Sequence, residues 1–220
     1  MSLARQHSFW GSSSPLGGLA GAGLLVIASS RLSWAITVAG SLFWVYGLSA
    51  FSYAFLSSDA VKKFFPAFGH KIIYTCLASF WGSLYFMMFW LLCPFAAFES
   101  LILLLLVPLF CAGIGSAELL EFSGENQNFD VFDYASEAVS QAVTLSGLMI
   151  AFSIIREPLS YCSLSFPGTY QGMVTIMYFK AGSFFPIGIF AASSGALLLL
   201  GYFICLYQYC KNVFFPGEKK

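Results

Sequence analysis

One stretch of the chain combines residue types that can do chemistry in an apolar setting: Pro108-Leu-Phe-Cys111-Ala-Gly-Ile-Gly115-Ser-Ala117-Glu118. A cysteine thiolate is a soft ligand that suits iron–sulfur clusters and other transition metals. A carboxylate inside a membrane is a default candidate for ion or proton handling. Cys111 is therefore the candidate metal and cofactor ligand, and Glu118 the candidate ion-pathway residue. Two plainer interpretations stay open: Cys111 as a small side chain at a helix contact, and Glu118 as a solvated residue at the membrane edge.

The composition indicates that a lipid bilayer surrounds these residues. Of the 220 residues, 59% are hydrophobic and only 9% are charged, whereas a typical soluble domain has about 25% charged residues. The apolar stretches lack the alternation of a membrane β-barrel, so helices are predicted. The net charge is zero and no basic block exceeds two residues, which argues against nucleic acid as a partner.

Six apolar segments approach the length of about 20 helical residues that a bilayer core requires. They are residues 19–30, 34–56, 72–92, 101–122, 135–155 and 184–209. The first segment is short and ends before Arg31, and the fourth contains Gly113 and Gly115, so both are expected to be interrupted. Interrupted helices at corresponding places in two halves are typical of inverted repeats.

The sequence therefore predicts an all-α integral membrane protein with six transmembrane helices arranged as two inverted three-helix repeats. The halves are residues 19–93 and 94–210. A polar segment, residues 1–18, precedes the membrane domain, and a basic tail, residues 211–220, follows it.

The distribution of Lys and Arg predicts that both termini are cytoplasmic. The side that holds the termini has seven basic residues: Arg5, Lys62, Lys63, Lys71, Lys211, Lys219 and Lys220. The opposite side has three: Arg31, Arg156 and Lys180.

The Cys-x-x-x-Gly-x-Ala-Glu pattern from Cys111 to Glu118 resembles the fourth helix of the Rnf/Nqr small membrane subunits, the paired six-helix proteins RnfA and RnfE or NqrE and NqrD. Three further stretches agree with this family in order and spacing. They are Phe129-Asp-Val-Phe-Asp133 with the later pair Arg156-Glu157, then Ser163-Leu-Ser-Phe166, then Phe190-Ala-Ala-Ser-Ser-Gly-Ala-Leu197. The resemblance covers residues 70–210, and more loosely the first two segments.

The resemblance implies a subunit of an ion-translocating electron-transport complex in the cell inner membrane. In the family, two homologous chains each give one cysteine from the first helix and one from the fourth, and together hold an iron–sulfur cluster. Carried over, Cys111 matches the fourth-helix ligand of a 2Fe–2S cluster that a partner subunit would share. At the first-helix position this chain has Gly23, so that ligand is missing. Cys93-Pro94 has the family's Cys-Pro dipeptide but follows the third segment.

Two classes of function follow. The first is an electron-relay subunit of an Rnf/Nqr-type complex, in which the cytoplasmic termini favour the RnfE/NqrD-like member. The second is an inverted-repeat transporter, or a structural paralogue, without a redox cofactor. Arg156 and Glu157 are expected near the outer face, where they fix the following loop.

Overall fold

The computed structural model describes residues 19–56, 70–125, 131–169, 171–179 and 187–214, which are mainly α-helical. In chain order the elements are α1 (Leu19–Ala28), α2 (Leu32–Leu56), α3 (His70–Leu92), α4 (Pro94–Glu99), α5 (Leu101–Glu125), α6 (Val131–Tyr161), β1 (Ser163–Pro167), β2 (Met173–Tyr178), a 3-10 turn (Gly188–Phe190) and α7 (Ser193–Phe214).

Three helical segments are long and apolar enough to cross a membrane: Leu32–Leu56, Ile72–Leu92 and Ala135–Tyr161. Two shorter apolar helical segments, Leu101–Gly115 and Ser193–Tyr207, accompany them. Large apolar side chains remain exposed along these helices, as at Leu91 on α3 and Ile102 on α5. The protein is thus a helical, multi-pass membrane protein.

Helix α2 is the central element of the bundle. It packs along α6 and also contacts α3 and α5. In the most apolar window of α2 61% of the residues are buried, against 17% in α3. The buried side chains of α2 are mostly small, among them Ala35, Ala39 and Gly47. Small residues let helix backbones approach closely, which is how helices associate in lipid.

Two hydrogen bonds fix α2 against α6. Ser146 on α6 donates to the carbonyl oxygen of Ala39 at 3.1 Å. Tyr46 on α2 donates its hydroxyl to Oε1 of Gln141 at 3.3 Å. Hydrogen bonds between membrane helices add to packing as a source of stability.

The expected interruption of the fourth helix at Gly113 and Gly115 is wrong, because α5 is continuous from Leu101 to Glu125. The break lies earlier, at Ser100, which separates the short α4 from α5. Gly115 instead allows close packing: a Cβ there would overlap the ring of Tyr74 on α3. The glycine thus serves contact between helices rather than a break within one.

The region after α6 also departs from an all-α expectation. Helix α6 continues through Arg156 and Glu157 to Tyr161, so this pair lies in the helix and not in a loop. Strands β1 and β2 then form an antiparallel hairpin, with a bulge between Leu164 and Ser165. The predicted sixth segment, 184–209, begins later, since α7 starts at Ser193.

Backbone conformation explains how the hairpin begins and turns. Cys162 adopts a left-handed conformation (φ 51°) and donates its N–H to the carbonyl of Pro158 at 3.0 Å, which ends α6. Gly172 has φ 70°, and its carbonyl accepts a 2.6 Å hydrogen bond from the N–H of Gly168. A glycine adopts this φ without steric cost.

We predict that Gly82→Ala destabilises the protein, because a Cβ at this buried position would overlap the rigid ring of Pro108 on α5. Overpacking of this kind typically costs about 1–3 kcal/mol. Thermal unfolding of the purified protein in detergent should show a lower Tm. The matched control is Gly147→Ala on α6, where a Cβ meets nothing within 4 Å. Its Tm should be unchanged or higher, and equal losses in the two variants would contradict the packing argument.

Candidate functional site

Cys111 lies on α5 in the centre of the apolar core and is fully buried. Its core cluster includes side chains from α1, α2 and α3. The structure thus places the sequence-predicted ligand where water is excluded. An unmodified thiol at this place behaves as a small apolar side chain.

Gly23 on α1 lies close to the segment of α5 that contains Cys111. Helices α1 and α5 touch, and a Cβ on Gly23 would lie 3.9 Å from Cε1 of Phe110, the residue preceding Cys111. Gly23 and the Cys111 segment therefore meet across the α1–α5 contact.

The other cysteines lie elsewhere on the molecule. Cys76 and Cys205 are exposed, whereas Cys93, Cys162 and Cys210 are half-buried. In the ranges that the structure describes, no three residues among His, Cys, Asp and Glu come together as a metal-binding group. The donor set within this part of the chain is thus the single thiol of Cys111, which does not fit an iron–sulfur cluster by itself.

Glu118 lies in the same helix as Cys111. Seven residues separate them, which corresponds to about 10 Å along a helix axis. The side chain of Glu118 falls outside the described residues, so its predicted role in an ion pathway stays a prediction.

The most elaborate polar arrangement surrounds Arg156 on α6, whose side chain is 1% exposed. Its Nη1 donates to the carbonyl of Val26 at 2.7 Å and to Oγ of Ser29 at 3.0 Å. Its Nε donates to the carbonyl of Phe190 at 2.8 Å. Its Nη2 donates to the carbonyls of Ala191 and Ala192, at 3.1 and 3.3 Å.

These contacts join three parts of the chain that are distant in sequence. Val26 and Ser29 belong to the end of α1 and the turn after it, where helix carbonyls lack partners within the helix. Residues 190–192 lead from the 3-10 turn into α7. The planar guanidinium has five donors in a fixed geometry, so one side chain holds the end of α1 and the start of α7 against α6.

Glu157 complements Arg156 at the next helix. It is 1% exposed, and its Oε2 accepts a 2.7 Å hydrogen bond from the N–H of Leu32, the first residue of α2. The C-terminus of a helix carries partial negative charge and the N-terminus partial positive charge. The cation thus meets the end of α1 and the anion meets the start of α2. Together they stabilise the break at Ser29–Arg31, confirming the expected break after the first segment.

The pair was predicted to fix the loop that follows it, whereas the side chain of Arg156 contacts residues 190–192, which lie within the predicted sixth segment. The contact with α1 and α2 was missed because nothing in the local sequence indicates it. Gln141, which meets Tyr46 between α6 and α2, was missed too. A single amide side chain within an apolar helix indicates a hydrogen bond to a neighbouring helix, and this pattern would have identified Gln141.

Arg31 extends this polar region towards the hairpin. It is half-buried, and its Nη1 lies 2.7 Å from Sδ of Met173 at the start of β2. Its guanidinium carbon lies 5.1 Å from the ring centroid of Tyr161, a cation–π distance. The hairpin is thus held over the same end of the bundle as the α1–α2 break.

Comparison with known proteins adds no assignment: the chain matches no protein-family model, no curated protein and no solved structure at a significant level. The functional argument rests on the geometry above.

We predict that Arg156→Met destabilises the protein, because five acceptors lose their donor, two of which, the Val26 carbonyl and Ser29 Oγ, are buried. A buried acceptor left without its donor typically costs about 1–3 kcal/mol. Thermal unfolding in detergent and protease sensitivity at the α1–α2 turn should both report the loss. Arg31→Met makes the same chemical change at the same end and should cost about 1 kcal/mol or less. Equal effects of the two substitutions would contradict the assigned role of Arg156.

We also predict a graded series at Glu157. Glu157→Gln keeps an oxygen that accepts from the Leu32 N–H and should lose little stability, whereas Glu157→Leu leaves that donor unpaired. An unsatisfied buried donor typically costs about 1–3 kcal/mol. If the two variants unfold at the same temperature, the hydrogen bond from the N–H of Leu32 to Glu157 does not stabilise the start of α2.

Proposed function

We propose that this chain is a membrane subunit of an ion-translocating, Rnf/Nqr-type electron-transport complex in the cell inner membrane. The observation that carries the proposal is the α1–α5 contact. There Gly23, the position that matches the family's first-helix motif, lies against Phe110, the residue before Cys111, and Cys111 itself is buried in the apolar core.

The pairing of helices supports an inverted repeat of two three-helix halves. If α1, α2 and α3 correspond to α5, α6 and α7, a two-fold relation requires contacts to occur in matched sets. Helix α2 packs on α6, and α1 packs on α5, so in each case a helix contacts its own counterpart in the other half. The contacts of α3 and α2 with α5 have smaller counterparts in those of α7 and α6 with α1, whereas the extensive α2–α3 contact has no comparable counterpart between the described parts of α6 and α7.

The contacts between loops support six crossings. The α1–α2 turn, the α4 region and the β1–β2 hairpin meet at one end of the bundle. Arg31 contacts Met173, and a Cβ on Gly172 would lie 2.8 Å from Oε1 of Glu99. These are the first, third and fifth connections, and a shared side is what is expected if α2 with α3, and α5 with α6, each cross the membrane and return.

In the proposed complex, Cys111 is the single ligand that this chain gives to a 2Fe–2S cluster, and a homologous six-helix partner supplies the others. The cluster would carry electrons between redox centres on the two sides of the membrane. This chain's residues contribute a dry, apolar site around the thiol and a close contact between α1 and α5 at Gly23. The arrangement requires the partner to reach Cys111 from the α1–α5 side.

The second candidate is a structural paralogue that keeps the scaffold without the cofactor. It is favoured by the complete burial of Cys111 within this chain and by the lack of a thiol at Gly23. In that case the contacts of Arg156 and Glu157 hold the helices together, and Cys111 is a small side chain that fills space in the core.

The test is the iron and acid-labile sulfide content, with an EPR spectrum, of the complex purified through this chain. We expect a cluster signal in the wild type that Cys111→Ser abolishes or changes. The matched control is Cys205→Ser, since Cys205 is exposed on α7, and it should leave the signal unchanged. A cluster-free complex, or a signal that Cys111→Ser leaves unaltered, would support the structural paralogue.

The proposed orientation has its own test. With both termini cytoplasmic, a C-terminal fusion to green fluorescent protein should be fluorescent and a C-terminal fusion to a periplasmic phosphatase should be inactive. The reverse result would place the hairpin and the Arg156 network on the cytoplasmic side, and would overturn the orientation but not the fold.

A further inference from the structure

The β1–β2 hairpin exposes apolar side chains although it lies outside the helices. Ile176 and Tyr178 on β2 are 60% and 80% exposed. Met177, Phe179 and Phe166 are exposed as well. No charged residue occurs between Glu157 and Lys180, so the hairpin has none of the charges that normally protect an exposed strand edge in water.

The hairpin cannot hide these side chains by folding back, because it is already fixed to the bundle. Strand β1 packs against α2 and α6. The N–H of Phe179 donates to the carbonyl of Cys162 at 2.8 Å, which closes the base. Met173 contacts Arg31 at the far end of β2. The exposed face therefore needs an external medium or partner to cover it.

Two media fit poorly. Exposure of these apolar side chains to water is unfavourable, because transfer of apolar surface out of water is the dominant favourable contribution to folding. The hydrocarbon core is unfavourable because the free edge of β2 carries backbone groups that need hydrogen bonds. The interfacial layer of the bilayer satisfies both needs, since it offers water and ester oxygens beside the acyl chains. Tyr and other aromatic side chains are enriched at this depth.

Continuity with the helix surface supports the same medium. Ile154 and Ile155, in the segment of α6 that precedes the hairpin, are exposed, and so are Ile187 and Ile189 after it. Exposed apolar side chains thus occur in the described segments before, within and after the hairpin. A spanning helix presents such residues to lipid.

We propose that the β1–β2 hairpin lies in the interfacial layer of the bilayer and binds the boundary between lipid headgroups and acyl chains through the exposed side chains of β2. It anchors the end of the bundle that contains Arg156 and Glu157 at a defined depth. This inference does not depend on the redox proposal.

The test uses the full chain in vesicles of phosphatidylethanolamine and phosphatidylglycerol. A small fluorescent amino acid is introduced at Ile176 or at Tyr178, and quenching is measured with lipids that carry a spin label near the headgroup or near the end of the acyl chain. Iodide in the buffer is the aqueous quencher. The control position is Leu109 on α5, which is 68% exposed and lies about two turns into an apolar membrane helix.

We expect the two hairpin positions to be quenched severalfold more by the label near the headgroup than by the label at the chain end, and weakly by iodide. The Leu109 position should show the opposite preference between the two lipids. Strong quenching by iodide without quenching by lipid would overturn the proposal. Protection from all three quenchers would also overturn it, because a protein surface would then cover the hairpin. Loss of the folded protein in one labelled variant leaves the second position as the test.

Discussion

A buried guanidinium at the end of the bundle is the constraint on which the rest of this structure depends. Burying an unpaired charge is very unfavourable, so Arg156 is tolerated only while carbonyls from α1 and from the start of α7 surround it. Glu157 imposes a second condition by accepting from the first N–H of α2. These adjacent residues of α6 thereby specify where α1 ends, where α2 begins and where α7 enters. A shift of any of these helices leaves a charge or a backbone group unpaired.

The body of the bundle follows a different rule, because lipid provides no hydrophobic drive between helices. Small residues on α2 allow the close approach of α6, and glycines on α3 and α5 accommodate Pro108 and Tyr74. Large apolar side chains are left for the outer surface. Cys111 lies in the apolar core, which also contains larger side chains such as Leu24 and Tyr74, and α1 contacts α5 nearby. The proposed function uses that dry core as the surroundings of a ligand, while the polar end keeps α1 in position.

Much of the helix pattern could be predicted from sequence, because runs of apolar residues about 20 long have few alternatives. The short α1 and its break before α2 were expected from the interruption at Arg31. The continuity of α5 was not expected. A glycine in an apolar helix can either break the helix or allow close packing, and the choice depends on the neighbouring side chain, which here is Tyr74. The hairpin was missed because its strands are short and follow a helix that continues past Pro158. The partners of Arg156 are over 100 residues away at α1 and about 35 away near α7. Patterns within one short segment of sequence do not predict contacts between segments so far apart. Of the candidate site, Cys111 was correctly expected within an apolar helix.

The account depends most on whether a second chain meets Cys111 across the α1–α5 contact. A cryo-EM map of the native complex purified through this chain tests that directly. The account predicts a homologous six-helix subunit against α1 and α5, with strong metal density beside Sγ of Cys111. A map in which Cys111 is enclosed by apolar side chains, with lipid rather than protein on that face, would contradict it.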